Sequence, residues 1–153
     1  MLAPGKKAPA IVLLDQHGRK RSLKDFAKRK VLVYFYPRAD TPGCTQQSCL
    51  LSEIKDDIGR TAIIGISPDS PERQLKFDTK HKLGFPLLAD EDHRVAKAYG
   101  VWKKKSMYGR EYMGVERSAF LIDGNGMIIH AWYKISPKDT PKFLLDALKE
   151  QRR

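Results

Sequence analysis

The chain of 153 residues has only two cysteines, Cys44 and Cys49, which is too few for a disulfide scaffold. Neither a Cys-x-x-Cys pair nor a zinc-type spacing occurs, because His17, His81, His93 and His130 lie far apart and out of register with the cysteines. Long apolar runs are missing too. The longest is Val31 to Tyr36, far below the roughly 20 residues of a membrane helix. Met1 to Pro9 shows no apolar stretch after its lysines, so a secretory signal is not expected. Internal repeats and low-complexity tracts are absent. Acidic residues are scarce, with Asp+Glu 18 against Lys+Arg 29 and a formal charge of +11.

What is present suits a globular protein. Hydrophobic residues make up 41% of the chain, enough to exclude a disordered body. The length fits one domain over residues 1–153 with a core that needs no metal or disulfide staple. A soluble, basic, cytoplasmic single domain is the expectation. Arg19, Lys20, Arg21, Lys24, Lys28, Arg29 and Lys30 face a single acid, Asp25, and Lys103-Lys104-Lys105 and Arg152-Arg153 add smaller groups. Such stripes can bind nucleic acid, but no zinc finger, heptad run or RNP-like aromatic motif accompanies them. A solvated surface is the simpler reading, and specific nucleic-acid binding is not expected.

Periodicity predicts alternating strands and helices. Ile11 to Leu14 and Lys20 to Leu23 flank a turn and form a hairpin. Val31 to Tyr36 and Ala62 to Ile66 are continuous apolar runs, the pattern of strands buried on both faces. Between them a helix is predicted from about Cys44 to Ile58, with Leu50, Leu51, Ile54 and Ile58 on one face. Ser70-Pro71-Glu72 opens a second helix with an N-cap and a proline at its first position. Phe85 to Leu88 is a short extended piece, and Asp92 to Tyr99 a short helix closed by Gly100. Ser118 to Ile122 and Met127 to Tyr133 flank Asp123-Gly124-Asn125-Gly126 as a hairpin. Thr140-Pro141 opens a last helix carrying Phe143, Leu144, Ala147 and Leu148. The expected class is an α/β three-layer domain with a central mixed sheet and an N-terminal hairpin. Ligands in such sheets bind beyond the C-terminal strand ends, where Cys44 lies.

Tyr36-Pro37-Arg38-Ala39-Asp40-Thr41-Pro42-Gly43-Cys44 places a thiol in the first turn of a helix behind a buried strand. Unpaired N–H groups and the positive end of the helix dipole favour thiolate there. A Thr-Pro-Gly loop can bring a hydroxyl and free amides near the sulfur to polarise a small oxygen substrate. An inert buried cysteine is the competing reading, and a Pro-rich helix start suits it poorly. Cys49 follows five residues on. In an intact helix that spacing turns the side chain by about 140° net and lifts it by about 7.5 Å, leaving the Cα atoms about 8.7 Å apart. The limit for a disulfide is roughly 7 Å. Cys49 is therefore either an inert helix residue, or the helix unwinds for the pair to join. Gln46, Gln47 and Ser48 are polar and the apolar stripe starts at Leu50, so only modest packing is expected over that segment.

Pro37-x-x-x-Thr41-x-x-Cys44 resembles the active-site motif of the peroxiredoxin family, and Thr41-Pro42-Gly43-Cys44-Thr45 followed by Cys49 is similar to its bacterioferritin comigratory protein/peroxiredoxin Q branch. Gly5 to Pro9, Tyr34 to Pro37, Gly65 to Ser70, Gly100-Val101-Trp102, and Met107 to Arg110 through Gly114 to Ser118 extend the similarity over nearly the whole chain. The resemblance implies a thioredoxin-like fold and thiol-dependent reduction of hydroperoxides, without a cofactor or metal. Carried over, Cys44 is the attacking thiolate, Thr41 holds the peroxide, Pro37 shields the pocket, Arg117 stabilises thiolate and transition state, and Cys49 is the resolving cysteine. Gln47 stands where many members of the branch carry Glu. The implied partners are a hydroperoxide and a thioredoxin-like dithiol, and the implied state is a monomer, with a weak dimer as the alternative. A disulfide oxidoreductase of the same fold and a basic binding module are the competing functions; the first lacks its Cys-x-x-Cys, and the second would not need Cys44. Without the motif, Arg117 is a surface ion pair, and Trp102, Met107, Tyr108, Tyr112 and Met113 are core or lid packing, a soft wall for alkyl hydroperoxides, or a docking patch.

Overall fold

The structure is a computed structural model describing residues 1–151; the Arg152-Arg153 pair lies outside the described residues. The two continuous apolar runs form adjacent parallel strands, β3 (Val31–Phe35) and β4 (Ala62–Ser67), with every residue buried. They are joined by helix α1 (Pro42–Ile54). Helix α2 (Pro71–His81) and the short strand β5 (Leu87–Ala89) follow, with β5 parallel to β4. Ser70 caps α2 as its sequence predicts, accepting a hydrogen bond from the Arg73 N–H. The N-terminal hairpin of β1 (Val12–Leu14) and β2 (Lys20–Ser22) joins the sheet through the pairing of Leu14 with Ala89.

After the short helix α3 (Arg94–Ala98) the chain forms a separate two-stranded ribbon, β6 (Trp102–Met107) and β7 (Arg110–Val115). It then returns as β8 (Ser118–Ile122), antiparallel to β3, and β9 (Ile128–Trp132), before the terminal helix α4 (Asp139–Gln151). The seven-stranded mixed sheet runs β2-β1-β5-β4-β3-β8-β9. Successive residues of its strands feed two cores, as the period of two requires. Leu32, Tyr34, Ile63 and Leu121 pack with α1, α2 and α4, whereas Val31, Val33, Phe35, Ile64 and Phe120 pack with α3 and the N-terminal segment. The expected three-layer α/β class is the one observed. Among the described residues no helix is long and apolar enough to cross a membrane.

Local departures from the sequence pattern have local causes. Helix α1 starts at Pro42, two residues before its predicted start, because proline needs no hydrogen-bond acceptor in a first turn. It stops at Ile54 and not at Ile58, since the chain turns through Gly59 at φ +62°; Ile58 reaches the core from that turn. Strand β5 is shifted toward Ala89, and α3 begins at Arg94, held by Asp90, whose carboxylate accepts from the Val95 and Ala96 N–H groups. The β6–β7 ribbon was not legible as strands because lysines interrupt its alternation. Its one signal was Tyr108-Gly109, where both residues take positive φ, 52° and 78°, in a tight hairpin turn.

Gly65 on β4 faces Tyr34 on β3, and a Cβ there would lie 2.9 Å from the Tyr34 ring and hydroxyl and 3.0 Å from Leu87. Gly65→Ala is expected to destabilise the fold by about 1–3 kcal/mol through overpacking. A lower denaturant midpoint with an unchanged slope would show it; an unshifted midpoint would refute this close approach.

Candidate active site

The C-terminal end of β3 runs through Tyr36 and Pro37 into the loop that becomes α1. Pro37 is half-buried there. The loop is pinned from below: Asp69 accepts hydrogen bonds from the Ala39 N–H at 2.7 Å and the Ser67 hydroxyl at 2.6 Å. Asp40 adopts φ +62° and bridges to Lys80 at 3.0 Å and His81 at 3.1 Å at the end of α2. The His81 and Lys80 contacts hold its carboxyl below the usual range. Thr41 occupies the N-cap position, and its hydroxyl donates to the Arg38 carbonyl at 2.8 Å.

Cys44 is the third residue of α1 and is 1% exposed. Arg117, in the link between β7 and β8, reaches it: Nη2 donates to Sγ at 3.3 Å across 73 positions of sequence. The register explains the meeting, since Ser118 pairs with Phe35 and so sets Arg117 beside the end of β3. Gly43 leaves the necessary space, because a Cβ there would lie 3.2 Å from Nη2. The second guanidinium arm donates to Gln47 Oε1 at 2.7 Å, while Gln47 Nε2 donates to Thr140 at 2.9 Å. Reading Arg117 as a surface ion pair is therefore wrong for this chain.

The polar stretch before Leu50 also differs from expectation. Gln47 and Ser48 are fully buried, and the Ser48 and Tyr34 hydroxyls lie 2.7 Å apart. Polarity in the sequence meant internal hydrogen bonding, not loose packing. Burial drives the Tyr34 hydroxyl far above its ordinary range, and negative charge at Cys44 or Cys49 would push it further.

Cys49 lies on the same intact helix as Cys44, and both thiols are free. It is half-buried against the same core cluster. Partial burial, and secondarily the Glu53 carboxylate, push its thiol up, so it stays protonated where an ordinary thiol begins to ionise. Among the described residues no group of three His, Cys, Asp or Glu side chains could hold a metal ion. The aromatic and methionine residues noted in the sequence divide. Trp102 stacks on His93 with ring centroids 3.8 Å apart and packs on the core, whereas Met107, Tyr108, Tyr112 and Met113 are exposed on the ribbon.

The chain matches known proteins along most of its length. Residues 4–131 match the AhpC/TSA family. The chain is 43% identical to Peroxiredoxin Bcp of Bacillus subtilis over 148 residues, covering 95% of this chain and 94% of that one. Peroxiredoxin Bcp of Escherichia coli is also 43% identical, over 151 residues and 97% of each chain. Among solved structures, the bacterioferritin comigratory protein of Xanthomonas campestris, described with its alkyl peroxide reduction activity, superposes with a TM-score of 0.88 at 30% identity over 100% of this chain and 98% of that one. A PrxQ variant of Xylella fastidiosa gives 0.89 at 28% identity over 100% and 99%. On these matches the chain belongs to the AhpC/TSA family of peroxiredoxins, thiol-dependent peroxide-reducing enzymes, and within it to the Bcp/PrxQ group.

Proposed function

We propose that Cys44 is the attacking sulfur of this peroxidase, and the single observation that carries the assignment is the 3.3 Å hydrogen bond from Arg117 to its Sγ. A fixed cation at that distance stabilises negative charge on sulfur and on the oxygen being transferred. The thiolate attacks the near oxygen of a hydroperoxide, the S–O bond forms as the O–O bond breaks, and sulfenic acid results with hydroxide or an alkoxide, which takes up one proton from solvent and leaves as water or an alcohol. Thr41 already donates to Arg38, which leaves its oxygen lone pairs to accept a hydrogen bond from the bound peroxide. Pro37 closes the pocket beside it. Cys49, held protonated by burial, is the resolving thiol; it condenses with the sulfenic acid, releasing water and forming an intramolecular disulfide. A thioredoxin-like dithiol restores both thiols by exchange. The 153 residues act as one domain, in the cytoplasm, as a monomer. A disulfide oxidoreductase or a basic binding module explains neither the buried thiol nor its guanidinium. A thioredoxin-coupled assay with hydrogen peroxide and an organic hydroperoxide tests the reading, and an absence of peroxide-dependent turnover with both would overturn it.

Cys44→Ser is expected to abolish turnover, since a serine hydroxyl is neither ionised nor nucleophilic enough at neutral pH. Retention of a tenth of the rate, about 1.4 kcal/mol of barrier, would be incompatible with the assignment.

Arg117→Ala removes a charge-assisted hydrogen bond of about 1.5–3 kcal/mol, so the second-order rate with peroxide should fall roughly 10- to 100-fold. Arg117→Lys should recover only part of it, because an ammonium cannot hold Cys44 and Gln47 with separate arms. Stopped-flow rates that stay unchanged in the alanine variant would remove Arg117 from the mechanism.

Joining Cys44 to Cys49 requires α1 to unwind, and the buried contacts of Gln47 and Ser48 must release with it. One equivalent of peroxide should therefore lower helical circular dichroism and speed amide exchange over residues 44–51. In Cys49→Ser the helix should stay folded while Cys44 passes on to sulfinic acid in excess peroxide. A disulfide seen by mass spectrometry with exchange unaltered would contradict the unwinding step.

A further inference from the structure

The segment from Lys134 to Thr140, which carries the chain from β9 into α4, holds Arg117 at both its backbone and its side chain. The Ile135 N–H donates to the Arg117 carbonyl at 2.9 Å, and the Lys134 N–H donates to the hydroxyl of the next residue, Ser118, at 3.3 Å. Pro137 lies against the first turn of α1, where a Cβ on Gly43 would come 3.7 Å from its Cγ and 3.2 Å from Arg117 Nη2. The guanidinium itself is reached through two buried side chains, Thr140 and Gln47. Gln47 Nε2 donates to the Thr140 hydroxyl at 2.9 Å, and Gln47 Oε1 accepts from Arg117 Nη1 at 2.7 Å.

Donors and acceptors along this chain allow one direction only. A carbonyl can only accept, so the Thr140 hydroxyl spends its single proton on the Ser136 carbonyl, 2.9 Å away. Its oxygen is then left to accept from Gln47. A guanidinium can only donate, so the end of the Gln47 amide that faces Arg117 has to be its oxygen. Reversing the amide would set N–H against N–H at one end and oxygen against an oxygen with no free proton at the other. Thr140 thereby turns Gln47 Oε1 toward Nη1, and with that arm held, Nη2 meets Cys44 Sγ at 3.3 Å. A hydroxyl that only shaped the start of α4 would need the Ser136 contact alone. The second contact, to a buried amide on another helix, ties it to the site.

We propose that Thr140 is a positioning residue for the peroxide step: it fixes the orientation of the Gln47 amide and, through it, seats the guanidinium on the Cys44 sulfur. The inference rests on the assignment of Cys44 as nucleophile. Thr140 acts at one remove, through Arg117, so its effect on the rate exists only while Arg117 is present.

Stopped-flow rates with hydrogen peroxide test this in the full-length protein, Thr140→Val, Thr140→Ser, Arg117→Ala and the double variant of Thr140→Val with Arg117→Ala. Valine keeps the branched shape of threonine and removes the acceptor, whereas serine keeps the hydroxyl. A neutral hydrogen bond corresponds to about a 2- to 12-fold change in rate, and Thr140→Val should slow the peroxide step by that much. Thr140→Ser should stay within about twofold of the unaltered protein. On top of Arg117→Ala, the valine substitution should change the rate by less than about twofold, because its route to the sulfur is gone. Circular dichroism and the denaturant midpoint are followed alongside, and Thr140→Ala takes the place of Thr140→Val, with the same expectations, if the valine variant does not fold. An unchanged rate in Thr140→Val, an equal loss in Thr140→Ser, an unslowed Arg117→Ala, or a full valine effect on top of Arg117→Ala would overturn the proposal. Any of these beside normal peroxide reaction of the unaltered protein overturns the Thr140 role alone. No reaction of the unaltered protein with peroxide would overturn the Cys44 assignment and this role with it.

Discussion

The contact between Arg117 and Cys44 joins parts of the molecule that otherwise have little reason to meet. Its two ends come from the link before β8 and from the first turn of α1. They come together because β8 pairs antiparallel with β3, so the start of one strand lies at the end of the other. Gly43 provides the room, and Gln47 takes the second guanidinium arm. Through Gln47 the network extends to Thr140 at the start of α4. One planar fork of donors thereby fixes the sulfur, the helix that carries it, and the helix packed behind.

That arrangement places opposite demands on α1. The helix must hold Cys44 against Arg117, yet it must open if Cys49 is to reach the oxidised sulfur. Its first turns are held by Gln47 and Ser48, not by an apolar stripe, which begins at the buried Leu51. A typical buried hydrogen bond contributes about 0.5–1.5 kcal/mol net, whereas full burial of a leucine contributes about 1.5–3 kcal/mol. Polar tethers can also find water as the segment opens, which exposed leucines cannot do favourably. Polar anchoring therefore gives the reduced site a defined geometry and leaves its opening inexpensive. The raised thiol of Cys49 fits the proposed division of labour, since a protonated second cysteine would not compete for peroxide with Cys44 as the proposed nucleophile.

The central strands of the main sheet were legible in the sequence because they are hydrophobic along their whole length. Val31 to Phe35 and Ala62 to Ile66 can lie only inside, and Ser70-Pro71 and Asp123 to Gly126 mark their helix start and turn through local chemistry alone. The β6–β7 ribbon was not legible. Five of its twelve residues carry charge, so the alternation that identifies a strand is lost.

The sequence by itself determined the layer order, the helix that opens at the Thr41-Pro42-Gly43-Cys44 run, and the thiol in its first turn, because these follow from backbone preferences and hydrophobic period over short distances. It also determined that Cys44 and Cys49 cannot bond while the helix is intact, since helix geometry alone sets their separation. Only the tertiary structure decided that Arg117 touches the sulfur and that Gln47 and Ser48 are buried anchors. These depend on strand register and on the folding of the ribbon. Polar residues leave no periodic signature that separates a solvated side chain from one buried in a hydrogen-bonded network, so contacts across 73 positions exist only once the sheet is assembled.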